Sequence, residues 1–196
     1  MIVCITGISG TGKTTILNLL SNDFSIKILD NEIHSYYKYD KIGYKLIQKH
    51  FGNEYVNSKE VDRQKLGTLV FNDKKKLIYL NFILQPLIKS IILSLKNKYK
   101  GKILLVESAS ALNEFNNYYN DYLYLFDKFI LINAPLNFIK KNNLNKFKYL
   151  KKDIVDLFDL DVNLHNFDLV VQNNTTPEEA AKKIKEFLIK LDKKSI

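Results

Sequence analysis

Short apolar segments alternate along the chain with longer segments in which apolar residues recur every three or four positions. The short segments are β-branched or aliphatic and predict five strands, at Ile2 to Thr6, Ile26 to Leu29, Ile103 to Val106, Phe129 to Ile132 and Leu169 to Val171. The longer segments predict helices at Lys13 to about Asn22, Ile42 to Phe51, Asp62 to Phe71, Asp73 to about Lys98 and Pro177 to about Leu191. This alternation is typical of an α/β fold, a parallel sheet covered by helices.

The spacing of these elements predicts one domain with two insertions. A mostly helical stretch, far longer than one crossover helix requires, separates the second strand from the third. We therefore expect a core of about 1–35, 100–136 and 165–196, with a helical substrate-binding insert at about 36–99. A polar, lysine-rich stretch at about 137–155 could be a short lid over the site, or a solvated surface turn.

One apolar stretch, residues 77–95, is long enough to suggest a membrane-spanning helix. However, Asn81, Gln85 and Lys89 recur every fourth residue and would form a polar stripe, and Pro86 lies inside the run. This pattern favours a helix largely buried in a soluble protein over a membrane span.

The remaining composition indicates a cytoplasmic protein. No signal peptide is visible, and Cys4, the single cysteine, lies in an apolar strand where a buried, inert thiol is expected. The net charge is +9, but the lysines are spread along the whole chain, and of the 30 lysine and arginine residues only Arg63 is an arginine. This favours attraction for polyphosphate ligands over a nucleic-acid partner.

The first strand leads into the glycine-rich stretch GISGTGKTT, residues 7–15, which is followed by a helix. It matches the phosphate-binding pattern G-x-x-x-x-G-K-[ST] at Gly7, Gly12, Lys13 and Thr14. Glycines let successive N–H groups point at phosphate oxygens, and the helix that begins near Lys13 adds its positive end. Lys13 is expected to reach the β- and γ-phosphates of a nucleoside triphosphate, and the Thr14 hydroxyl to ligate Mg²⁺.

Two acidic residues follow predicted strands and could act on this phosphate. Asp30, in ILDNEIH, could accept the proton of an attacking hydroxyl or hold a Mg²⁺-bound water, and Glu32 is the weaker candidate. Alternatively, Asp30 or Asn31 caps the next helix. Glu107, in LLVESAS, could hold the metal through water, or be a plain surface acid at the end of a strand.

Histidines and tyrosines complete the list of candidates. The histidines show no metal-ligand spacing and are expected to lie on the surface or in packing, as are the tyrosines near Asp30, which could otherwise stack on a base. These residues are His34, His50, His165, Tyr36, Tyr37 and Tyr39.

Several blocks in the right order resemble the dephospho-CoA kinase family, P-loop kinases of coenzyme A synthesis. These blocks are IVCITGISGTGKTT, ILDNEIH, GYKLIQKHFG, DRQKLGTLVFND, LNFILQPLI, FDKFILINAP and FDLVVQNNTTPEEA, which together span nearly the whole chain. The resemblance implies a three-layer P-loop NTPase fold with a five-stranded parallel sheet. It also implies transfer of the γ-phosphate of ATP to the 3′-hydroxyl of dephospho-CoA, with Mg²⁺.

The resemblance also implies roles for individual residues. Asp30 would be the catalytic carboxylate, assisted by Lys13, and the helical insert would hold the pantetheine-bearing substrate. Arg63 falls on the family's Asp-Arg pair and Lys140 on the lid, so both are candidates for substrate binding, while Thr14 and Glu107 would serve the metal. The ATP phosphates would lie against Gly10, Thr11, Gly12, Lys13, Thr14 and Thr15.

The chain departs from the family pattern at four places. The family's Asp-x-Asp is Asp30-Asn31-Glu32, its His-Pro is Gln85-Pro86, and Glu107 stands where the family has aspartate. The lid offers lysines in place of arginines, and lysine lacks the bidentate fork of a guanidinium.

The sequence therefore predicts a cytoplasmic, monomeric dephospho-CoA kinase that binds ATP and dephospho-CoA and has no nucleic-acid or membrane partner. Another P-loop nucleoside or nucleotide kinase, a weakly active ATP- or CoA-binding regulator and a basic nucleic-acid-binding module are the alternatives.

Overall fold

The structure of the protein is a computed structural model that describes residues 1–108, 111, 122–135, 137–139 and 166–193. Its strands are β1 (Ile2–Thr6), β2 (Ser25–Ile28), β3 (Leu104–Glu107), β4 (Lys128–Asn133) and β5 (Leu169–Gln172). Its helices are α1 (Lys13–Leu20), α2 (Leu29–Ser35), α3 (Ile42–Phe51), α4 (Arg63–Asn72), α5 (Lys74–Lys98) and α6 (Pro177–Lys193), with 3₁₀ turns at Asn53–Tyr55 and Leu123–Leu125.

The strands form one sheet in the order β2-β3-β1-β4-β5. β1 pairs in parallel with β3 and with β4, and β4 pairs in parallel with β5. All five residues of β1 are buried, which explains why that strand is a continuous apolar run. The predicted five-stranded parallel sheet is therefore confirmed, and the loop that follows β1 starts at the carboxyl edge of the sheet.

The chain divides into two compact units. The sheet unit comprises Met1–Lys27 with the described residues of 101–118 and 126–196, and the helical unit comprises Ile28–Lys100 with the described residues of 119–125. In the sheet unit, residues of β1, β3, β4 and β5 share a buried core with α1 and α6. Ile184 and Leu188 of α6 are completely buried there, so the last helix is part of the core that supports the sheet.

In the helical unit, α5 packs against α2, α3 and α4. Its buried residues are Leu80, Ile83, Leu84, Leu87, Ile88, Ile91, Ile92 and Leu95. The expectation that this helix is largely buried is wrong, because Ile78, Tyr79, Phe82 and Leu93 on its other face are exposed. The helix is long and apolar enough to cross a membrane by length and composition alone, a test that core helices of soluble proteins also pass.

The element that the periodicity did not predict is α2. It follows β2 without a loop. Its N-cap residue is Ile28, which has no side-chain oxygen and therefore gives no capping signal in the sequence. With only seven residues it is also too short to show a helical period. The interpretation of Asp30 or Asn31 as its cap is therefore wrong, since both lie inside the first turn.

Candidate active site

The loop between β1 and α1 has the backbone conformation that its glycines allow. Gly12 caps α1 with a φ of 90° and a ψ of 11°, in the left-handed region that side chains disfavour. At Gly7 the constraint is close approach, because a Cβ there would lie 2.1 Å from the backbone oxygen of Ile132 in β4. The loop therefore lies directly against the end of the neighbouring strand, and α1 begins at Lys13 as the sequence predicts.

Lys13 is almost fully buried, with 7% of its surface exposed. Its ammonium donates to the backbone oxygens of Gly7 at 2.7 Å and Ile8 at 3.0 Å. The same nitrogen lies 3.8 Å from a carboxylate oxygen of Glu107. The lysine charge is thus held inside the loop by two backbone oxygens and a nearby carboxylate.

The other polar residues of the loop divide into buried and open positions. Thr11 is fully buried, and its hydroxyl donates to the Ile8 oxygen at 2.9 Å. Thr14 and Thr15, in the first turn of α1, are exposed, so their hydroxyls are accessible to a ligand at the helix N-terminus. The structure thus brings Gly10, Thr11, Gly12, Lys13, Thr14 and Thr15 together on one loop and helix start.

Glu107 is the last residue of β3, as its predicted position at a strand end requires. Its side chain is 12% exposed. Among the described residues, no group of three or more His, Cys, Asp and Glu side chains is arranged to hold a metal ion. A magnesium ion that bridges phosphate oxygens needs few protein ligands, however, and an open threonine hydroxyl and a strand-end carboxylate fit that requirement.

Sequence reasoning missed one residue of the phosphate loop's surroundings, Asn173. It follows β5 directly, is completely buried, and donates from its side-chain nitrogen to the Thr11 oxygen at 2.8 Å. The two residues are 162 positions apart, so no local pattern links them. The available signal was an asparagine just after a predicted strand, at the edge of the sheet where α/β folds bind ligands.

In the helical unit, Asp30 lies in the first turn of α2, two residues after β2. It therefore follows a strand, as the sequence predicts, but the strand ends one residue earlier than predicted and Asp30 belongs to a helix. The Asp30 side chain is exposed, and so is Arg63, the first residue of α4. Neither side chain forms a hydrogen bond or salt bridge with another residue in the part of the chain that the structure describes.

The charges of Asp30 and Arg63 affect the pKa of two side chains, His34 in α2 and Tyr37 just after it. Burial is the main cause that lowers the pKa of His34, Arg63 adds to it, and Asp30 opposes it. Burial also raises the pKa of Tyr37 to about 12, with a further contribution from Asp30. The His34 ring lies 5.3 Å from the Tyr37 ring, and its Nδ1 is buried with no hydrogen-bond partner in the described structure.

Two open grooves, each of about 450 Å³, lie within the helical unit. One is lined by Leu46, His50, Phe82, Ile83, Gln85, Pro86 and Lys89. The other is lined by Tyr55, Asp62, Gln64, Lys65, Thr68 and Leu69. The groove with Gln85 and Pro86 also contains the imidazole of His50, a residue of α3. The His50 ring forms a hydrogen bond with the Tyr79 hydroxyl at 2.7 Å.

The remaining tyrosine and histidine candidates occupy structural positions or lie outside the described residues. Tyr37 is buried, while Tyr39 is exposed and packs edge-on against Tyr44. Lys140, nearly all of the proposed lid at 137–155 and His165 fall outside the residues that the structure describes.

Comparison with known proteins agrees with this arrangement. The family model described as CoaE, dephospho-CoA kinase, matches residues 1–176. A dephospho-CoA kinase of Mycoplasma genitalium is 39% identical over 162 residues, which cover 78% of this chain and 79% of the relative. A dephospho-CoA kinase of Mycoplasma pneumoniae is 32% identical, with 96% of this chain and 91% of the relative covered.

Among solved structures, the dephospho-CoA kinase from Campylobacter jejuni has a similar fold. It superposes with a TM-score of 0.67 over 100% of this chain and 98% of its own, at 20% sequence identity. With a P-loop at the carboxyl edge of a five-stranded parallel sheet and a family match over most of its length, the chain belongs to the dephospho-CoA kinase family, kinases that transfer phosphate from ATP.

Proposed function

We propose that this protein transfers the γ-phosphate of ATP to the 3′-hydroxyl of the ribose of dephospho-CoA, which yields coenzyme A and ADP. The observation that carries the proposal is this chain's phosphate loop, in which Lys13 is buried and two threonines beside it are exposed. The chain is also a member of the dephospho-CoA kinase family. The loop supports ATP as the phosphate donor, and membership of the family supports dephospho-CoA as the acceptor.

On the donor side, ATP phosphates bind to the backbone of Gly10 to Thr15 at the start of α1. In the structure, backbone oxygens of Gly7 and Ile8 accept hydrogen bonds from the Lys13 ammonium. We infer that the β- and γ-phosphates replace these oxygens as acceptors, because a charged phosphate oxygen forms a stronger hydrogen bond than a neutral carbonyl. Lys13 then stabilises the negative charge of the transferring group.

On the acceptor side, Asp30 accepts the proton of the 3′-hydroxyl as that oxygen attacks phosphorus. Its exposure and its lack of a described protein partner leave the carboxylate available for substrate. The Arg63 side chain is also exposed and without a described protein partner. We assign it to a negatively charged group of the substrate, because the planar guanidinium can donate two parallel hydrogen bonds to such a group. Lys140, in the lid, is proposed to add positive charge over the transferring phosphate.

Mg²⁺ is proposed to bind at Thr14 and Glu107. The exposed Thr14 hydroxyl would hold the metal directly, and the Glu107 carboxylate, 3.8 Å from the Lys13 ammonium, would hold it through water. The chemistry that the metal would supply there is neutralisation of charge on the phosphate oxygens. Glu107 also orients the Lys13 ammonium, so its replacement should weaken ATP binding even where magnesium is in excess.

The pantetheine arm of the acceptor is proposed to lie in the groove that contains Gln85. Its lining is largely apolar, with the polar groups of Gln85, His50 and Lys89 among Leu46, Phe82 and other apolar side chains. Pantetheine has the same mixture, two amides spaced along an aliphatic chain, and a groove with few polar groups on an apolar surface can orient such a ligand.

The deciding experiment is a measurement of ADP release with ATP and Mg²⁺ and a panel of acceptors. Dephospho-CoA should stimulate ADP release far above nucleosides, nucleoside monophosphates and buffer alone. Lys13→Ala should abolish the stimulation while its circular dichroism spectrum stays that of the wild type. Stimulation by a nucleoside instead would assign the protein to another acceptor, and no stimulation by any acceptor would refute kinase activity in this panel.

We further propose that the protein works in the cytoplasm as a monomer that binds neither nucleic acid nor membrane. The even spread of lysines along the chain supports the absence of a nucleic-acid partner, because nucleic-acid-binding proteins concentrate their basic residues on one surface. Oligonucleotide binding should accordingly be weak at physiological salt, and size-exclusion chromatography with light scattering should give the 22.9 kDa mass of one chain.

A further inference from the structure

The strand-end residue Asn173 is the only long-range side-chain anchor that the described residues supply to the Thr11 backbone oxygen. Its side-chain nitrogen donates to that oxygen at 2.8 Å, and its own backbone N–H donates to the Asn133 oxygen at 2.7 Å. Asn133 in turn ends β4, the strand between β1 and β5. Asn173 is thus bonded at one end to the sheet and at the other to the phosphate loop.

The orientation of the Asn173 amide is determined by its partner. A backbone carbonyl can only accept, so the NH₂ group of the side chain must face Thr11 and the oxygen must face the other way. That oxygen, Oδ1, is buried and has no hydrogen-bond partner within the described part of the chain. A buried acceptor left without a donor is unfavourable. An asparagine at this position is therefore not explained by stability alone.

The bond acts on the peptide unit that joins Thr11 to Gly12. In a planar trans peptide, the C=O of one residue and the N–H of the next point in opposite directions. When Asn173 holds the Thr11 oxygen, the Gly12 N–H is directed away from Asn173. Without that bond the unit could rotate easily, because Gly12 has no Cβ to oppose it.

The fit between Gly12 and Asn173 is close. A Cβ added to Gly12 would lie 2.3 Å from the Asn173 side-chain nitrogen. Gly12 is therefore required both by its φ of 90° and by the space that Asn173 occupies. The glycine of the phosphate motif and the asparagine after β5 form one unit, although neither indicates the other in the sequence.

We propose that Asn173 is a positioning residue for nucleotide binding, which orients the Thr11–Gly12 peptide so that the loop's N–H groups are arranged for phosphate before ATP arrives. The inference rests on the proposed binding of ATP at this loop. It adds the β5 end of the sheet to the donor site and gives a role to the buried Asn173 amide.

The test compares Asn173→Ala and Asn173→Asp with Asn174→Ala, a matched control because Asn174 is the exposed neighbour of the same type. One hydrogen bond contributes about 0.5–1.5 kcal/mol, so Asn173→Ala should weaken ATP binding and raise the KM for ATP roughly two- to tenfold. The kcat at saturating ATP should stay within about twofold, because the loop contacts ground state and transition state alike. The KM for the acceptor should not change.

Asn173→Asp keeps the shape of the side chain and replaces the donor by an acceptor that faces the Thr11 oxygen. It should weaken ATP binding more than Asn173→Ala does, and it decides the question if the alanine variant does not fold. The Asn174→Ala variant should match the wild type in both constants. Equilibrium binding of ATP without acceptor, measured by calorimetry, provides the readout that is independent of turnover.

An ATP affinity of both Asn173 variants within twofold of the wild type would overturn the inference. So would an equal change in the KM for ATP and for the acceptor, which indicates general disruption. The Lys13→Ala variant distinguishes failure of the proposed role of Asn173 from failure of the proposed ATP site. If it loses ATP binding while both Asn173 variants keep it, only the role of Asn173 fails, and if it binds ATP normally, the proposed donor site itself fails.

Discussion

At the scale of single residues, the proposed chemistry depends most on Asp30. Replacement by asparagine keeps the size of the side chain and removes the proton acceptor. General-base catalysis contributes about 10²- to 10⁴-fold, so the kcat of Asp30→Asn should fall by about that factor. The KM for ATP should be unchanged, because the phosphates bind at the loop in the sheet unit.

A second aspartate of the helical unit provides the control for this variant. Asp40 is exposed and has a φ of 63°, a left-handed conformation that asparagine adopts as readily as aspartate. Asp40→Asn should therefore leave steady-state kinetics unchanged. If Asp30→Asn retains turnover within a few-fold of the wild type, Asp30 is not the base.

His34 should make the free energy of unfolding depend on pH. Its pKa is lowered in the folded protein, chiefly by burial and then by Arg63, so the unfolded chain binds a proton at that ring more readily. The free energy of unfolding should therefore fall as the pH decreases from the ordinary value of 6.5 towards the folded pKa. His34→Gln has no titrating ring, so it should lose less stability than the wild type between pH 7.5 and 5.5 in urea unfolding. Parallel losses in the two proteins would contradict this.

At the scale of elements, α4 depends on its N-cap. The Asp62 carboxylate accepts a hydrogen bond from the Lys65 backbone N–H at 3.0 Å, and Arg63 is the first residue of the helix. Asp62→Ala should reduce the free energy of unfolding by about 1 kcal/mol, since it leaves that N–H without its partner. Asp62→Asn is the control, because asparagine caps as well as aspartate, and equal losses in both variants would rule out capping as the cause. Denaturant titration measures the difference.

Most elements could be predicted from the sequence because their signals are local. The α3 boundaries, Ile42 and Phe51, and the β1 boundaries, Ile2 and Thr6, match the predicted ones. The α2 helix could not be predicted, because a short helix without a polar cap follows a strand directly. The exposed face of α5 was missed for a related reason, since an apolar sequence does not specify which of its faces meets the neighbouring helices.

At the scale of the whole molecule, ligand binding should appear as stability. A ligand that binds only the folded state at 100 times its Kd raises the free energy of unfolding by about 2.7 kcal/mol. For a chain of this length that corresponds to a Tm increase of roughly 5 to 10 °C. MgATP should produce this increase in the wild type and not in Lys13→Ala, as measured by scanning calorimetry. An equal increase in both proteins would place ATP somewhere other than the phosphate loop.

The sequence by itself determined the phosphate loop, the order of the strands and of the helices other than α2, and the family, because each rests on residues that are close along the chain or on matched blocks in order. Only the tertiary structure decided which distant groups support that loop. The sheet order brings the end of β5 to Thr11 across 162 residues, and pairing between strands, which no local pattern encodes, determines that contact. In the same way, folding of the helical unit made Arg63 of α4 an electrostatic neighbour of His34 in α2.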